Sequence, residues 1–428
     1  MDVVIRPGSV TGEIMPPPSK SETHRGLFLA ALAGGGPVER PLDSRDTRAT
    51  AAVIDALGGG VDWQSDAAEV DGFPAGRPTP ASEPVDCANS GTTLRLALGI
   101  AALAPGETKL TGDSSLTSRP NQPLLDSLED LGGEVIEQGT DGTAPITISG
   151  PLDGGETAID GSISSQFVSS LLIAGSFTED GVTVRLTEPL HSAPYLDLTI
   201  DTLDTFGISV ERGEDLFEVR GGQSPRFPAD GYLVGADPSA SSYPLAAGVI
   251  AGDPSVTVSD VGTRGGQPAP ILEVLRSFGV EPAMEGRQVT VAKTEPSPAT
   301  IDLGDCPDLL PTAAVIAAVA DGTSNLINCE HARFKETDRI WATAEALRSV
   351  GVPVSEREDG LTVRGRPEGL LAGEIDSHGD HRLAMAGAIA GLVADGPVRV
   401  MQADCVDVSY PNFYEDLQTI GADIEFNP

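Results

Sequence analysis

An α/β fold built from six repeats, grouped as two three-repeat domains, is predicted by three features of the sequence. The first is a recurring helix end: an aliphatic residue, then four places on a glycine preceded by a large apolar residue, usually with Val or Ile three places after it. It recurs at Gly58, Gly132, Gly207, Gly279, Gly351 and Gly421, spaced 70 to 75 residues apart. The second is an Ala- and Leu-rich helical run earlier in every unit. The third is strand-like alternation between the helices, as in Val182–Thr187 and Pro254–Val261.

The six early helices are expected to begin near Ser19, Asn89, Ser164, Ser239, Asp308 and Asp380, residue types favoured at or near N-caps. The later helix of each unit carries a core-facing position at Ile54, Leu128, Leu203, Leu275, Leu347 or Leu417, and its glycine serves as the C-cap that turns the chain into a strand. Each unit therefore reads helix, strand, helix, strand, with further short strands. An open solenoid would need polar capping repeats, which are missing, so two closed domains are the economical arrangement. The segment Tyr232–Ser241 is the natural crossover, giving domains of 19–234 and of 1–18 with 235–428.

Composition narrows the functional classes. The chain has 428 residues, 39% hydrophobic and 21% charged, enough for two substantial cores. Its formal net charge of −37, from 64 acidic and 27 basic residues, repels nucleic acid and anionic membrane. Low lysine, dispersed acids and 4% aromatics indicate adaptation to a salt-rich cytoplasm, where screening suppresses self-repulsion. Cys87, Cys306, Cys329 and Cys405 form no CxxC pair, so neither a zinc site nor a disulfide framework is indicated. With no signal peptide and no membrane-length apolar run, a soluble cytoplasmic protein is expected. A monomer is expected as well.

The few cations are placed with purpose. Lys20 opens a helix in PSKSETHR and Lys335 opens one in KETDR, where the helix dipole disfavours positive charge by roughly 0.3–1 kcal/mol unless an anion compensates. Arg95 in NSGTTLR, Arg119 in LTSRP and Arg382 in DHR repeat the arrangement, which suits a polyanionic ligand. Lys20 is expected to be exposed. Ser21 and Arg25 share a helix face at i,i+4, and Lys335 and Arg339 are expected to do the same beside Glu336 and Asp338. Gly91 lets backbone approach a ligand. HGDHR has an HxxH spacing, but no further histidine cluster supports a metal, so His381 and Arg382 are read as anion contacts.

In order, PSKSETHR, NSGTTLR, LTSRP, SSQF, HSAPY, CPDLLPTAA, KETDR and DHR resemble the motif series of the 5-enolpyruvylshikimate-3-phosphate synthase family, the 3-phosphoshikimate 1-carboxyvinyltransferases, over nearly the whole chain. The resemblance implies two inside-out α/β domains, helices buried and strands outward, closing on ligands in a central cleft. It implies transfer of the enolpyruvyl group of phosphoenolpyruvate to the 5-hydroxyl of shikimate 3-phosphate, with release of phosphate. Lys20, Ser21, Arg25, Ser164, Ser165, Gln166, Ser192, Tyr195, Asp308, His331 and Lys335 are then expected around shikimate 3-phosphate, mainly on the 19–234 side. Lys20, Asn89, Gly91, Arg119, Gln166, Arg339, His381 and Arg382 are expected around phosphoenolpyruvate. Asp308 is the expected base, with Lys20 and Glu336 as proton carriers at the methylene carbon, and no metal or organic cofactor is required. Val408 stands where some members carry a lysine. Two rivals remain: the UDP-N-acetylglucosamine enolpyruvyl transferase, which typically has a loop cysteine, and a non-catalytic repeat scaffold.

Overall fold

Six glycines end six helices by the same hydrogen-bond device. Gly58, Gly132, Gly207, Gly279, Gly351 and Gly421 have φ of 95°, 97°, 78°, 76°, 83° and 101°. In every case the glycine N–H donates to the carbonyl three residues back (Gly58 to Asp55 at 3.1 Å, Gly421 to Gln418 at 3.0 Å). The next N–H donates to the carbonyl five residues back (Gly59 to Ile54 at 3.0 Å, Ala422 to Leu417 at 3.0 Å). This is a Schellman cap, and its left-handed residue costs a non-glycine side chain roughly 1–2 kcal/mol.

The computed structural model describes residues 1–264 and 267–427. Two units divide it: Pro18–Gly235, and Met1–Pro17 with Ala236–Pro428. The helices of the first unit are α1 (Lys20–Leu32), α2 (Arg45–Ala56), α3 (Gly91–Ala101), α4 (Gln122–Asp130), α5 (Ser165–Gly175) and α6 (Ala193–Thr205). Those of the second are α7 (Ser242–Ala251), α8 (Ile271–Ser277), α9 (Leu310–Ala318), α10 (Arg339–Ser349), α11 (His381–Gly391) and α12 (Phe413–Thr419). Each repeat contributes one odd-numbered and one even-numbered helix.

Past their polar opening turns the odd-numbered helices are apolar nearly all round and form the interior. Every residue of α7, α9 and α11 is buried, and α5 buries all but Gln166. The even-numbered helices are one-sided; α4 buries Leu124, Leu125, Ser127 and Leu128 only. Around them lie six four-stranded sheets of one topology, an edge strand parallel to its neighbour followed by two antiparallel strands. Their strands alternate buried and exposed positions, as in Asp2–Arg6 and Ala67–Asp71, so the sheets clothe the helices. Truncating a core leucine such as Leu128 or Leu347, both buried, is expected to cost 2–5 kcal/mol by order of magnitude (~).

The full repeat is strand, helix, strand, helix, strand, strand, and three sheets are completed from a distance. Tyr232–Leu233 pairs in parallel with Val38 and Glu39 and so finishes the first repeat from the end of its unit. Asp2–Arg6 lies between Val398–Met401 and Asp423–Asn427, while Val10–Ile14 flanks Gly252–Val258. Among the described residues no helix is long and apolar enough to cross a membrane.

Candidate functional site

The expected starts of the interior helices fall within three residues of those observed, and the caps position the polar side chains. Ser19 caps α1 by accepting from the Glu22 N–H at 3.3 Å. Lys20, first in that helix, is only 14% exposed and donates to Asp46 Oδ2 at 2.9 Å. The expectation of an exposed lysine is therefore wrong: α2 brings a buried carboxylate against it, and the protein supplies this compensating anion itself. Arg25 is 1% exposed and ties α1 to α5 and α6, donating to Thr199 Oγ1 at 2.7 Å, the Ser21 carbonyl at 3.0 Å, the Tyr195 carbonyl at 3.2 Å and Ser169 Oγ at 3.5 Å. Ser192, with φ of 59°, begins α6 in the left-handed region.

At the start of α3, Ser90 is the cap, accepting from the Thr93 N–H at 3.1 Å. Arg119 donates to Asn89 Oδ1 at 2.7 Å and to Ser115 Oγ at 3.0 Å, and its buried Nε has no partner among the described residues. Arg95 donates to Gln166 Oε1 at 2.8 Å and Asn121 Oδ1 at 3.0 Å, while Gln166 Nε2 donates to Thr92 Oγ1 at 2.9 Å. Ser164 caps α5 through the Gln166 N–H, and Ser165 follows it, buried. A Cβ on Gly91 would stand 3.2 Å from Arg119 Nη1, 3.8 Å from Arg95 Nη1 and 4.0 Å from Gln166 Oε1. Asn89, Gly91, Arg95, Arg119 and Gln166 are thus brought together, with two guanidiniums held by neutral oxygens over a helix N-terminus. The neutral acceptors on Arg119 leave its charge available for an anion.

In the unit Met1–Pro17 with Ala236–Pro428, the cations meet carboxylates. Arg339 is 1% exposed; its Nη1 donates to Asp308 Oδ1 at 2.7 Å, its Nε to Asp380 Oδ2 at 2.6 Å and its Nη2 to Glu336. Arg382 donates to Asp308 Oδ2 at 2.9 Å. Asp380, fully buried, caps α11 by accepting from the Arg382 N–H at 2.9 Å. Burial opposes the charge of Arg339, but Asp380, Glu336 and Asp308 hold its guanidinium well above its ordinary pKa. Burial, countered by Arg339 and reinforced by Glu336, pushes the Asp380 carboxyl above the usual range. His381 is buried beside Asp380, its Nδ1 3.9 Å from Oδ1.

One expectation about a helix is corrected here. Lys335 and Arg339 do not share a helix face: α10 starts at Arg339 with Asp338 as cap, and Lys335 is extended after the turn Glu330–Phe334, which holds the buried His331. Asp338 bonds the Trp341 N–H at 3.1 Å, and that cap fixes the start four residues later than the charge pattern suggested. Asp308, near which a helix start is expected, sits in a 3-10 turn, Pro307–Leu309, directly ahead of α9. Val408 ends another such turn, Ala403–Val408.

As site residues, Asp46 and Asp380 are missed by sequence reasoning, which reads Asp380 only as a helix start. Both stand at helix starts, Asp46 second in α2 and Asp380 as a cap, and that position was their one available signal. Among the described residues none of the four cysteines forms a disulfide; burial pushes Cys87 up strongly and Cys329 and Cys405 up to about 12, so these three are poor nucleophiles near neutrality.

A family model described as EPSP synthase (3-phosphoshikimate 1-carboxyvinyltransferase) matches residues 4–417. The 3-phosphoshikimate 1-carboxyvinyltransferase of Halorubrum lacusprofundi is 45% identical over 449 residues, covering 99% of each chain. That of Halobacterium salinarum is 45% identical over 430 residues, covering 99% of this chain and 100% of its own. In fold, the chain is similar to the EPSP synthase from Acinetobacter baumannii, with a TM-score of 0.82 at 24% identity over the full length of both chains.

Proposed function

The chain belongs to the EPSP synthase family, and on that premise we propose that its clustered cations seat the anions of the family's two substrates. It is a 3-phosphoshikimate 1-carboxyvinyltransferase, transferring the enolpyruvyl group of phosphoenolpyruvate to the 5-hydroxyl of shikimate 3-phosphate and releasing phosphate. Two phosphates and two carboxylates must be held together for this, and fixed guanidiniums and helix N-termini do so without reorganisation at the moment of reaction.

The observation that carries the site reading is Arg119, held by neutral oxygens over Gly91 and beside Arg95. With Asn89, Gln166 and Lys20 it is the phosphoenolpyruvate seat on this unit. Arg339, His381 and Arg382 are the phosphoenolpyruvate groups of the other unit. Ser21, Arg25, Ser164, Ser165, Gln166, Ser192, Tyr195, His331 and Lys335 serve shikimate 3-phosphate, together with Lys20 and Asp308.

Asp308 accepts the proton of the 5-hydroxyl as that oxygen bonds to carbon 2 of phosphoenolpyruvate, and Lys20 or Glu336 protonates the methylene carbon. Loss of a methyl proton from the tetrahedral intermediate then expels phosphate and restores the double bond. Asp308 Oδ1 accepts from Arg339 and Oδ2 from Arg382. A guanidinium that turns to a substrate anion releases one of those oxygens for the hydroxyl proton, which couples substrate arrival to the appearance of the base. The protein is a monomer of a salt-rich cytoplasm in this reading; its acidity and its halophile relatives support the latter.

The test is phosphate release from phosphoenolpyruvate with shikimate 3-phosphate, against UDP-N-acetylglucosamine, for the parent, Arg119→Gln and Asp308→Asn. Turnover with shikimate 3-phosphate alone, lost by 10²-fold or more (~) in Asp308→Asn, is expected. Turnover with the nucleotide sugar would reject the substrate assignment, and parental rates in both variants would reject the site.

A further inference from the structure

His24, one turn into α1, has no part in the chemistry above. It is fully buried, with Nδ1 2.7 Å from Thr50 Oγ1 of α2; Thr50 Oγ1 is 2.7 Å from Thr93 Oγ1 of α3, which donates to Ser90 Oγ at 2.7 Å. Each hydroxyl has one proton. Thr93 gives its proton to Ser90 and so accepts from Thr50; Thr50 has then spent its own and can only accept from His24. The chain of bonds runs one way, and it places the imidazole hydrogen on Nδ1.

The ring is neutral: burial, and after it the charges of Lys20 and Arg25, push its pKa well below the ordinary 6.5. Its Nε2 is then a bare lone pair, buried and without a partner among the described residues. Lys20 lies four residues earlier on the same helix face, its ammonium on Asp46 Oδ2 at 2.9 Å. Asp46 lies beside the same group, its carbonyl oxygen 3.4 Å from Thr93 Oγ1.

We propose that His24 is a tautomer-locked positioning residue, whose Nε2 offers the Lys20 ammonium a second acceptor so that it can leave Asp46 for the substrates without losing its solvation. The Thr50, Thr93 and Ser90 relay keeps that lone pair free. This rests on the reading that Lys20 works on the substrates, whereas the tautomer itself does not.

The experiment joins nitrogen-15 NMR of the imidazoles with kinetics, using His24→Gln to assign the His24 signals among the five histidines. The expected ring stays neutral well below pH 6.5, with hydrogen on Nδ1 and a lone-pair shift at Nε2; Thr50→Val, which removes the acceptor, should abolish the tautomer preference. An Nε2–H tautomer, or titration near 6.5, would overturn the proposal whether or not the enzyme reading stands. His24→Phe should lower kcat about tenfold or more at unchanged KM for shikimate 3-phosphate, and His24→Gln, which retains an acceptor oxygen, should recover most of it. Parental kcat in a folded Phe variant would equally overturn it. If that variant does not fold, the Thr50→Val pair of measurements, tautomer and kcat falling together, decides.

Discussion

Gly91→Ala separates an anion seat from an ordinary helix start. The change adds one methyl at the first residue of α3, 3.2 Å from Arg119 Nη1 and 3.8 Å from Arg95 Nη1. The first distance is a few tenths of an ångström inside comfortable contact, and what must move is the tip of a guanidinium. Folding should hardly notice, because alanine is the better helix former and the displaced group is flexible. Binding should notice, since Arg119 is held by bonds of 2.7 Å and 3.0 Å to Asn89 and Ser115, and hydrogen bonds to charged groups are worth about 1.5–3 kcal/mol. Losing about half of one such bond to phosphoenolpyruvate is roughly 1.4 kcal/mol, a tenfold rise in its KM. The assay is steady-state phosphate release at varied phosphoenolpyruvate with a melting curve alongside: KM for phosphoenolpyruvate up about tenfold, KM for shikimate 3-phosphate within about twofold, Tm within about 2 °C. An unchanged KM at unchanged Tm would refute the idea that the two guanidiniums over Gly91 form the seat.

Other expected outcomes concern stability. Lys20→Met should abolish turnover and also lower Tm, because it strands the buried Asp46 carboxylate, a loss of order 1–3 kcal/mol; a Tm equal to the parent's would show the pair to be worthless. Asp380→Ala removes the α11 cap and one partner of buried Arg339, costing about 3–5 kcal/mol, whereas Asp380→Asn keeps the cap and should cost less; calorimetry giving the reverse order would contradict this. Gly207→Ala, at φ of 78° with open space around it, should cost roughly 1–2 kcal/mol from backbone strain alone, and a neutral result would deny the cap its role. Because the folded pKa of His24 is depressed, below about pH 6.5 the unfolded chain takes a proton that the fold refuses. Its contribution is complete above that pH and lost as pH falls, so the stability gap between parent and His24→Gln should narrow on acidification; a constant gap would argue against it. With net charge −37, Tm should climb with KCl toward molar concentration, and a flat profile would remove the salt-rich assignment.

The local devices of this fold were legible in the sequence because each is encoded within a few residues. A glycine at a helix end needs only its own φ, and six such glycines at even spacing revealed six repeats. Ser19, Ser164 and Asp380 announced helix starts because a cap bonds a backbone N–H two or three residues on. The family motifs were legible for the same reason: each is a short string at one helix start. What only the tertiary structure decided is pairing at a distance. No local pattern says that Asp2–Arg6 completes the last repeat, or that Tyr232–Leu233 completes the first, since a strand's alternation fixes its buried face and not its neighbour. Charge shows the same division. Lysine scarcity marked Lys20, but that its anion is Asp46, and that Arg339 lies among Asp308, Glu336 and Asp380, depends on which helix starts meet in the folded chain. Hydrogen bonds and ion pairs act over about 3 Å in space, while sequence reports only neighbours along the chain.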